Sequence, residues 1–458
     1  AKNHQGYEQA RHWFQKAIQL SETLMVPRLK VESFWGLAQA YGFQGDLAMA
    51  QQVTDEGLEI AVQAGDEWIA SLLRLTLGAS YVLAESYDAA GGWLQQAADT
   101  FRECGDTFGE AMSRLWQSLL WHGRGDNTRL KRDLADLLQL VREHDYSFIF
   151  QKRTLLGPPE PRSLVPLLIF ARDAAIETAY AKQLLVSMGL NPQLETHPGY
   201  QLRLQTLGSF RIWCGREELP AGAWRRQKAR QLFQLLVTYR QTMLEREQIV
   251  DMLWPELDPE GGQRDFKIAY TTLCKVLEPN RDRKAPSAFV VRDGSRYGLR
   301  PDGDIWLDAA AFDELVVAGD QQLTKRPLTA VETYRQALKL YEGEYLQEFP
   351  YEEWSSEERE RLLTTYLRTA ERLARALSEQ GEWEEVIAVC ELILARDDCW
   401  EQAYRLMMSA FLALGQRPQA LRAYQRCVER LNSELGVQPA AATTQLYQKI
   451  LAQAPQTA

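Results

Sequence analysis

The sequence is short of the residues that build metal centres and disulfide frameworks. Six cysteines and five histidines are spread over 458 residues. No Cys-x-x-Cys occurs, so neither a structural zinc site nor a disulfide scaffold is expected, and a reducing compartment fits best. Long apolar runs are missing too. The longest, Leu164–Ala171, contains Pro166 and falls far short of the ~20 residues a membrane helix needs. No signal peptide opens the chain. There is no G-x4-G-K-[S/T] and no Gly-Lys pair, so no phosphate-binding P-loop is encoded. Ser/His/Asp spacings and metal-ligand clusters are absent as well. His4, His12, His122 and His144 fall in the helical repeats described below, and His197 in a connecting stretch. The paired acids Glu352-Glu353 and Glu357-Glu358 lie near helix starts, where carboxylates complement the helix dipole. Neither an enzyme nor a bound cofactor is expected.

Positive charge is scarce overall. Lys and Arg total 52 against 62 Asp and Glu, a net of −10, which excludes a globally basic nucleic-acid coat. The deficit is uneven. Residues 201–305 hold 18 Lys and Arg against 14 Asp and Glu, so this segment is net +4 and the remainder −14. The composition, 45% hydrophobic and 25% charged, supports a sizeable core. The length corresponds to about three domains.

What is present first is self-similarity. A 40-residue period relates Ala10, Ala50 and Ala90; Tyr41, Tyr81 and Trp121; Gly65 and Gly105; Asp66 and Asp106. Gly125 matches Gly45 at twice that spacing. Each period reads as two amphipathic helices. Small residues (Ala38, Gly78, Ser118) stand where helices approach closely, and Trp35, Tyr41, Tyr81, Trp116 and Trp121 fill the gaps. Residues 1–150 are therefore expected to form a tetratricopeptide-like α-solenoid with a concave binding surface. Ala1 reads as lying inside a helix, which points to a fragment of something longer.

Residues 151–200 break the repeat. GPPEP (157–161) is stiff, a helix is expected over Leu164–Met188, and NPQLETHPGY (191–200) reads as a linker. From 201 the apolar period becomes 2, as in QLRLQTLGSFRIW, which predicts short strands. Helices are expected near 224–240, 245–254 and 263–277. FVVRDGSRYGL (289–299) reads as a hairpin with Asp293-Gly294 in its turn. After 305 the chain is helical. A 34-residue period pairs Gly381 with Gly415 and Ala376 with Ala410, which is the tetratricopeptide spacing.

The stretch QRDFKIAYTTLCKVLEP (263–279) carries the functional signal. On a helical wheel Phe266, Ala269, Tyr270, Leu273, Val276 and Leu277 cover about 120°, and Arg264, Lys267, Thr271 and Lys275 fall within about 80° on the other side. Ile268, Cys274 and Glu278 share that outer face. A turn containing Gly261-Gly262 separates this helix from the preceding EREQIVDMLWPE (245–256). That is a helix-turn-helix arrangement, whose second helix fits the DNA major groove. Arg292 and Arg296 at the hairpin tip suit a wing on the DNA backbone or minor groove. In WRRQKARQLFQLL (224–236), Arg225, Arg226, Lys228 and Arg230 crowd a helix start against its dipole. A phosphate clamp by Lys228 and Arg230, or intramolecular salt bridges, would equally offset them.

LQTLGSFRIWCGREEL, KARQLFQLL, LWPE, TTLCKVLEP and GSRYGL, in this order, resemble the winged helix-turn-helix of the Streptomyces antibiotic regulatory proteins, an OmpR-like fold. DAAAFDEL, YEGEYLQEFPYEEW and EQAYRLMMSAFLALGQRPQALRAYQRCVERLNSELGVQP resemble the bacterial transcriptional activator domain that follows it in that family. The resemblance covers about 201–450. It implies a mainly α protein with a winged helix-turn-helix (α+β) at 201–305 and a C-terminal helical tetratricopeptide-like activator domain at 306–458. It implies a sequence-specific transcription activator that meets double-stranded DNA at direct repeats, side by side with a second protomer, and recruits RNA polymerase. The recognition helix would be 263–277, with Arg264, Lys267, Thr271 and Lys275 facing the groove, and the wing 290–298. The family often has Ser-x-Leu-Arg where this chain has Thr271-Thr272-Leu273-Cys274-Lys275, a departure that bears on base preference because Lys cannot make the forked contact of Arg. A repeat array ahead of the winged helix is similar to large multidomain regulators with an NTPase switch, which would lie upstream of Ala1. The expected location is cytoplasmic, at the nucleoid. The repeats would sense an unknown ligand or protein. The alternative is a protein-interaction scaffold whose winged helix binds protein rather than DNA.

Overall fold

The computed structural model describes residues 2–24, 27–282 and 284–452; Ala1 lies outside them. The architecture is mainly α, with twenty α-helices and seven short strands among the described residues. Contacts divide the chain into two compact units. One comprises Ala1–Gln201, Asn280–Phe289 and Arg300–Asp304; the other Leu202–Pro279, Val290–Leu299 and Ile305–Ala458.

The first unit is the solenoid. Its long helices are α1 (Lys2–Leu24), α2 (Pro27–Gly42), α3 (Leu47–Gln63), α4 (Glu67–Leu83), α5 (Tyr87–Glu103), α6 (Thr107–Arg124) and α7 (Asn127–Glu143). The chain takes a left-handed φ at Gly45, Gly65, Glu85, Gly105, Gly125 and Asp145, once every 20 residues. The 40-residue period is thus two helix–turn steps of 20 residues each. At four of the turns an aspartate follows. Asp46, Asp66, Asp106 and Asp126 accept from the backbone N–H of Met49, Ile69, Gly109 and Arg129. Each such cap stabilises its helix by about 1 kcal/mol. At the third turn Glu85 replaces glycine, and Ser86 makes no side-chain cap.

The small and aromatic positions fill the roles expected of them. A Cβ on Gly78 would stand 2.7 Å from Leu94, so α4 and α5 close to a distance only glycine permits there. Trp116 is fully buried, and the indole of Trp121 donates to Asp133 at 2.7 Å.

Residues 151–200 are helical in part, and within the stretch 191–200 Leu194 and His197 are buried. After α8 (Phe148–Gln151), α9 (Val165–Asp173) and α10 (Thr178–Ser187) replace the single helix expected over 164–188. Ala175 and Glu177 both adopt left-handed φ and break it. Leu164, Leu168, Leu184 and Leu194 are buried in the solenoid's core. His197 is buried beside Asp304, whose carboxylate also takes Arg162 at 2.8 Å and Gln201 at 2.8 Å.

The second unit opens with β1 (Leu202–Gln205), β2 (Arg211–Cys214) and β3 (Glu217–Glu218). Helices α11 (Gln227–Thr238), α12 (Arg246–Leu253) and α13 (Pro259–Leu277) follow, with β4 (Leu244–Glu245) ahead of α12. The hairpin is β5 (Val290–Asp293) and β6 (Arg296–Leu299), and β7 (Ile305–Leu307) comes next. One sheet has the order β3-β2-β1-β7, the other β4-β6-β5. β1 and β7 pair in parallel, Leu204 against Leu307. The rest is helical: α14 (Asp308–Leu323), α15 (Pro327–Leu340), α16 (Glu353–Gln380), α17 (Trp383–Leu394), α18 (Glu401–Ala413), α19 (Arg417–Leu435) and α20 (Ala441–Ala452).

Two staples join the winged part to the helical part. The Asp308 carboxylate accepts from Thr206 N (2.7 Å), Leu207 N (2.8 Å), Thr206 Oγ1 (2.6 Å) and Ala309 N (2.7 Å). Burial pushes this carboxyl up, and the same donors pull it down. Arg240 at the end of α11 bonds Glu358 of α16 at 2.9 Å, and Arg361 bonds Glu358 and Asp313.

Candidate nucleic-acid interface

Helix α13 starts earlier than its wheel suggests. Asp258 caps it by accepting from Gly261 N at 3.1 Å, and Pro259 occupies the first turn. Both are start signals, since proline's missing N–H is not needed there and its φ already suits a helix. Gly261 and Gly262 therefore lie inside the helix, buried, rather than in the turn. Their smallness has another purpose. A Cβ on Gly262 would stand 2.4 Å from Val250 Cγ1, so the glycine lets α13 rest directly on α12.

The apolar face of α13 is buried at Phe266, Ala269, Leu273 and Leu277. Phe266 and Tyr270 hold the wing. Their rings meet Tyr297 of β6 edge-on at 4.8 Å and 5.0 Å. Such contacts contribute about 0.5–1.5 kcal/mol each beyond area burial. At the wing's tip Asp293 and Arg296 are the last ladder pair, so the turn residues are Gly294-Ser295, one later than expected. Gly294 supplies the positive φ at the first position. The tip is tied to the start of α12: Arg246 N donates to Ser295 O at 2.9 Å, and Ser295 Oγ donates to Glu245 at 2.6 Å.

On the opposite side of α13, Arg264, Lys267, Thr271 and Lys275 are all exposed. Arg264 has only a loose pairing with Asp265 at 3.8 Å and is 75% exposed. The ammonium groups of Lys267 and Lys275 meet no acid among the described residues. Thr271 Oγ1 donates to the Lys267 carbonyl at 2.8 Å. Cys274 and Glu278, expected on this outer face, are buried. Glu278 is the C-cap of α13 with φ −140°, outside the helix, so a helical wheel does not place it.

The remaining cations divide into two groups. On the wing, Arg292 lies 5.7 Å over the Tyr297 ring and bonds the Gly294 carbonyl, and Arg296 pairs with Asp293; both stay exposed. At the start of α11, Arg225 and Arg226 are exposed. Lys228 and Arg230 are engaged inside the fold. Lys228 Nζ donates to the Leu253 carbonyl at the end of α12 and sits 5.9 Å over Trp254. Arg230 donates to the Phe210 carbonyl at 2.9 Å and pairs with Glu348 at 3.2 Å. Arg230 thus makes an intramolecular salt bridge, whereas Lys228 makes a carbonyl hydrogen bond and a ring contact instead of one. The aromatic lock of Phe266, Tyr270 and Tyr297 has one sequence signal, the polar–apolar alternation in SRYGL that turns Tyr297 inward.

A winged helix-turn-helix fused to a helical-repeat domain is the class these elements define. Residues 307–451 match the family profile of the bacterial transcriptional activator domain. Over 251 residues, 55% of this chain, the sequence is 28% identical to the regulatory protein AfsR of Streptomyces coelicolor. It is also 27% identical over 217 residues, 45% of this chain, to the transcriptional regulator RedD of the same organism. The matches span 24% of AfsR and 59% of RedD. The structure of Mycobacterium tuberculosis EmbR aligns with a TM-score of 0.47 at 22% identity, over 56% of this chain and 66% of EmbR. The resemblance to the Streptomyces antibiotic regulatory proteins thus holds: the chain carries a bacterial transcriptional activator domain and is homologous to transcriptional regulators. No described helix is long and apolar enough to cross a membrane.

Proposed function

We propose that the chain is a sequence-specific DNA-binding transcription regulator, an activator, working in the cytoplasm at the nucleoid. The observation that carries this reading is the outer face of α13. Lys267 and Lys275 are exposed and make no ion pair among the described residues, on a helix whose other face buries Phe266, Ala269, Leu273 and Leu277. Two unpaired cations and an arginine on one narrow stripe suit a polyanion, and the helix diameter suits the major groove.

Arg264, Lys267, Thr271 and Lys275 would meet base edges and adjacent phosphates. Arg292 and Arg296 would meet the backbone beside the wing. Because Lys228 and Arg230 already have partners, phosphate contact at the start of α11 falls to Arg225 and Arg226. The activator domain would recruit RNA polymerase, with protomers side by side on direct repeats, and the repeats would sense a ligand or protein.

The test is titration of the whole chain on promoter-length duplexes at several salt concentrations. Affinity should fall steeply and linearly on a log–log plot as salt rises. Binding of a protein partner through α13, with no duplex binding at any salt, would give the scaffold reading instead.

A further inference from the structure

Between Gln151 and Pro161 the first unit's chain is irregular and lies on the row formed by α2, α4 and α6. It is held there by its carbonyls. Gln39 Nε2 of α2 donates to the Leu155 carbonyl at 2.5 Å, and Trp116 Nε1 of α6 donates to the Leu156 carbonyl at 2.7 Å. Gly157 is buried, and a Cβ there would already touch Met112 of α6 at 3.6 Å. Pro158 and Pro159 have no N–H to offer. The strap is thus recognised largely through backbone groups that any extended polypeptide carries.

The site is larger than the strap fills. Leu155 is 65% exposed and borders an apolar cavity of about 470 Å³. Phe14, Leu20 and Leu24 of α1, Trp35 of α2, and Trp68 and Leu72 of α4 line it. Leu20 and Leu24 are each 58% exposed, and Trp68 is 41% exposed. Contiguous bare apolar side chains of this kind mark an interaction site. Gln39, which lines the cavity, and Trp116, under the strap, donate to backbone carbonyls, as a polypeptide offers.

We propose that this face receives an extended segment of a partner protein carrying adjacent large aliphatic residues, as the strap carries Leu155-Leu156, and that the strap is its built-in competitor. The inference rests on the reading of the repeats as the sensing element and names what they sense. The strap is tethered, so its effective concentration is in the millimolar range. A free peptide sees only the fraction of molecules whose strap is open, and its apparent affinity drops by that fraction. The strap would set the partner concentration at which the repeats respond.

The test uses the whole chain and a labelled peptide of the strap's own sequence, KRTLLGPPE, read by fluorescence anisotropy. Leu156→Asp should release the strap, and the variant should bind the peptide at least about ten-fold more tightly than the unaltered chain. Adding Gln39→Ala or Trp116→Phe should weaken that binding about five-fold each, the loss of one hydrogen bond. Absence of binding to the released variant, equal binding by both proteins, or indifference to Gln39→Ala would overturn the proposal. If Leu156→Asp fails to fold, Gln39→Ala alone should loosen the strap and speed exchange of the Trp116 indole N–H, which the Leu156 carbonyl accepts, about five-fold; unchanged exchange would overturn it. Dimerisation of the released variant through an exchanged strap, seen by sedimentation, would assign the face to a second copy and overturn the partner reading. Duplex binding is read separately, so intact DNA binding without peptide binding removes this inference alone.

Discussion

Gly262 of α13 lies so close to Val250 of α12 that a Cβ would stand 2.4 Å from the valine's Cγ1. The valine is β-branched and helical, so it cannot turn away. Gly262→Ala should therefore spread the two helices. Overpacking costs about 1–3 kcal/mol, against a helix-propensity gain of about 0.5–1 kcal/mol. A net destabilisation of about 1–2 kcal/mol is expected in urea unfolding, with weaker duplex binding, because α13 is displaced from the wing.

The solenoid contains its own stabilising substitutions. Glu85 adopts the left-handed φ that glycine holds at Gly45, Gly65, Gly105 and Gly125, and Ser86 stands where the other turns carry a capping aspartate. Glu85→Gly with Ser86→Asp should raise stability by about 1–2 kcal/mol through relief of the backbone and a new cap. The melting temperature should rise by a few degrees; a fall would show that the third turn is held by something other than the repeat.

Arg230 is spent on the Phe210 carbonyl and Glu348. Arg230→Gln should lower the melting temperature and leave the salt dependence of duplex binding unchanged. Arg226→Gln, at the exposed N-cap of α11, should do the reverse and flatten the slope by about one unit. A phosphate-clamp role for Arg230 would invert that pattern.

Glu358 reports the staple between the winged part and the activator domain. Burial opposes its ionisation, but Arg361 and Arg240 outweigh burial and hold its carboxyl below the usual 4.5. A carboxyl lowered in the folded state contributes stability that is present above its unfolded value and is lost as the pH falls through the folded one. Thermal stability should therefore fall below about pH 4.5, and Glu358→Gln should make that loss shallower while lowering stability at neutral pH.

Much of this fold is legible in the chain, for identifiable reasons. The Gly-Asp turns announce themselves because left-handed φ and N-capping each admit few residue types. The two faces of α13 follow from helical period. The start of α13 was less plain, because Gly261-Gly262 looks like a turn unless Asp258-Pro259 is weighed as a cap and first-turn pair. Glu278 reads as an outer-face residue because a wheel runs on past the C-cap where α13 ends. The break at Ala175 and Glu177 carries no glycine or proline to mark it. The β1–β7 pairing and the Asp308 staple join residues about a hundred positions apart, beyond the reach of local pattern.

The decisive measurement is a salt titration of duplex binding by the whole chain and by a Lys267→Ala/Lys275→Ala variant. The unaltered chain should bind, with log affinity falling linearly against log salt, and the variant should lose affinity and about two units of slope. Its melting temperature should stay unchanged, since both lysines are exposed and neither makes an ion pair among the described residues. Duplex binding that is absent, or equally strong and equally salt-dependent without the two lysines, would contradict the assignment of α13 to the groove.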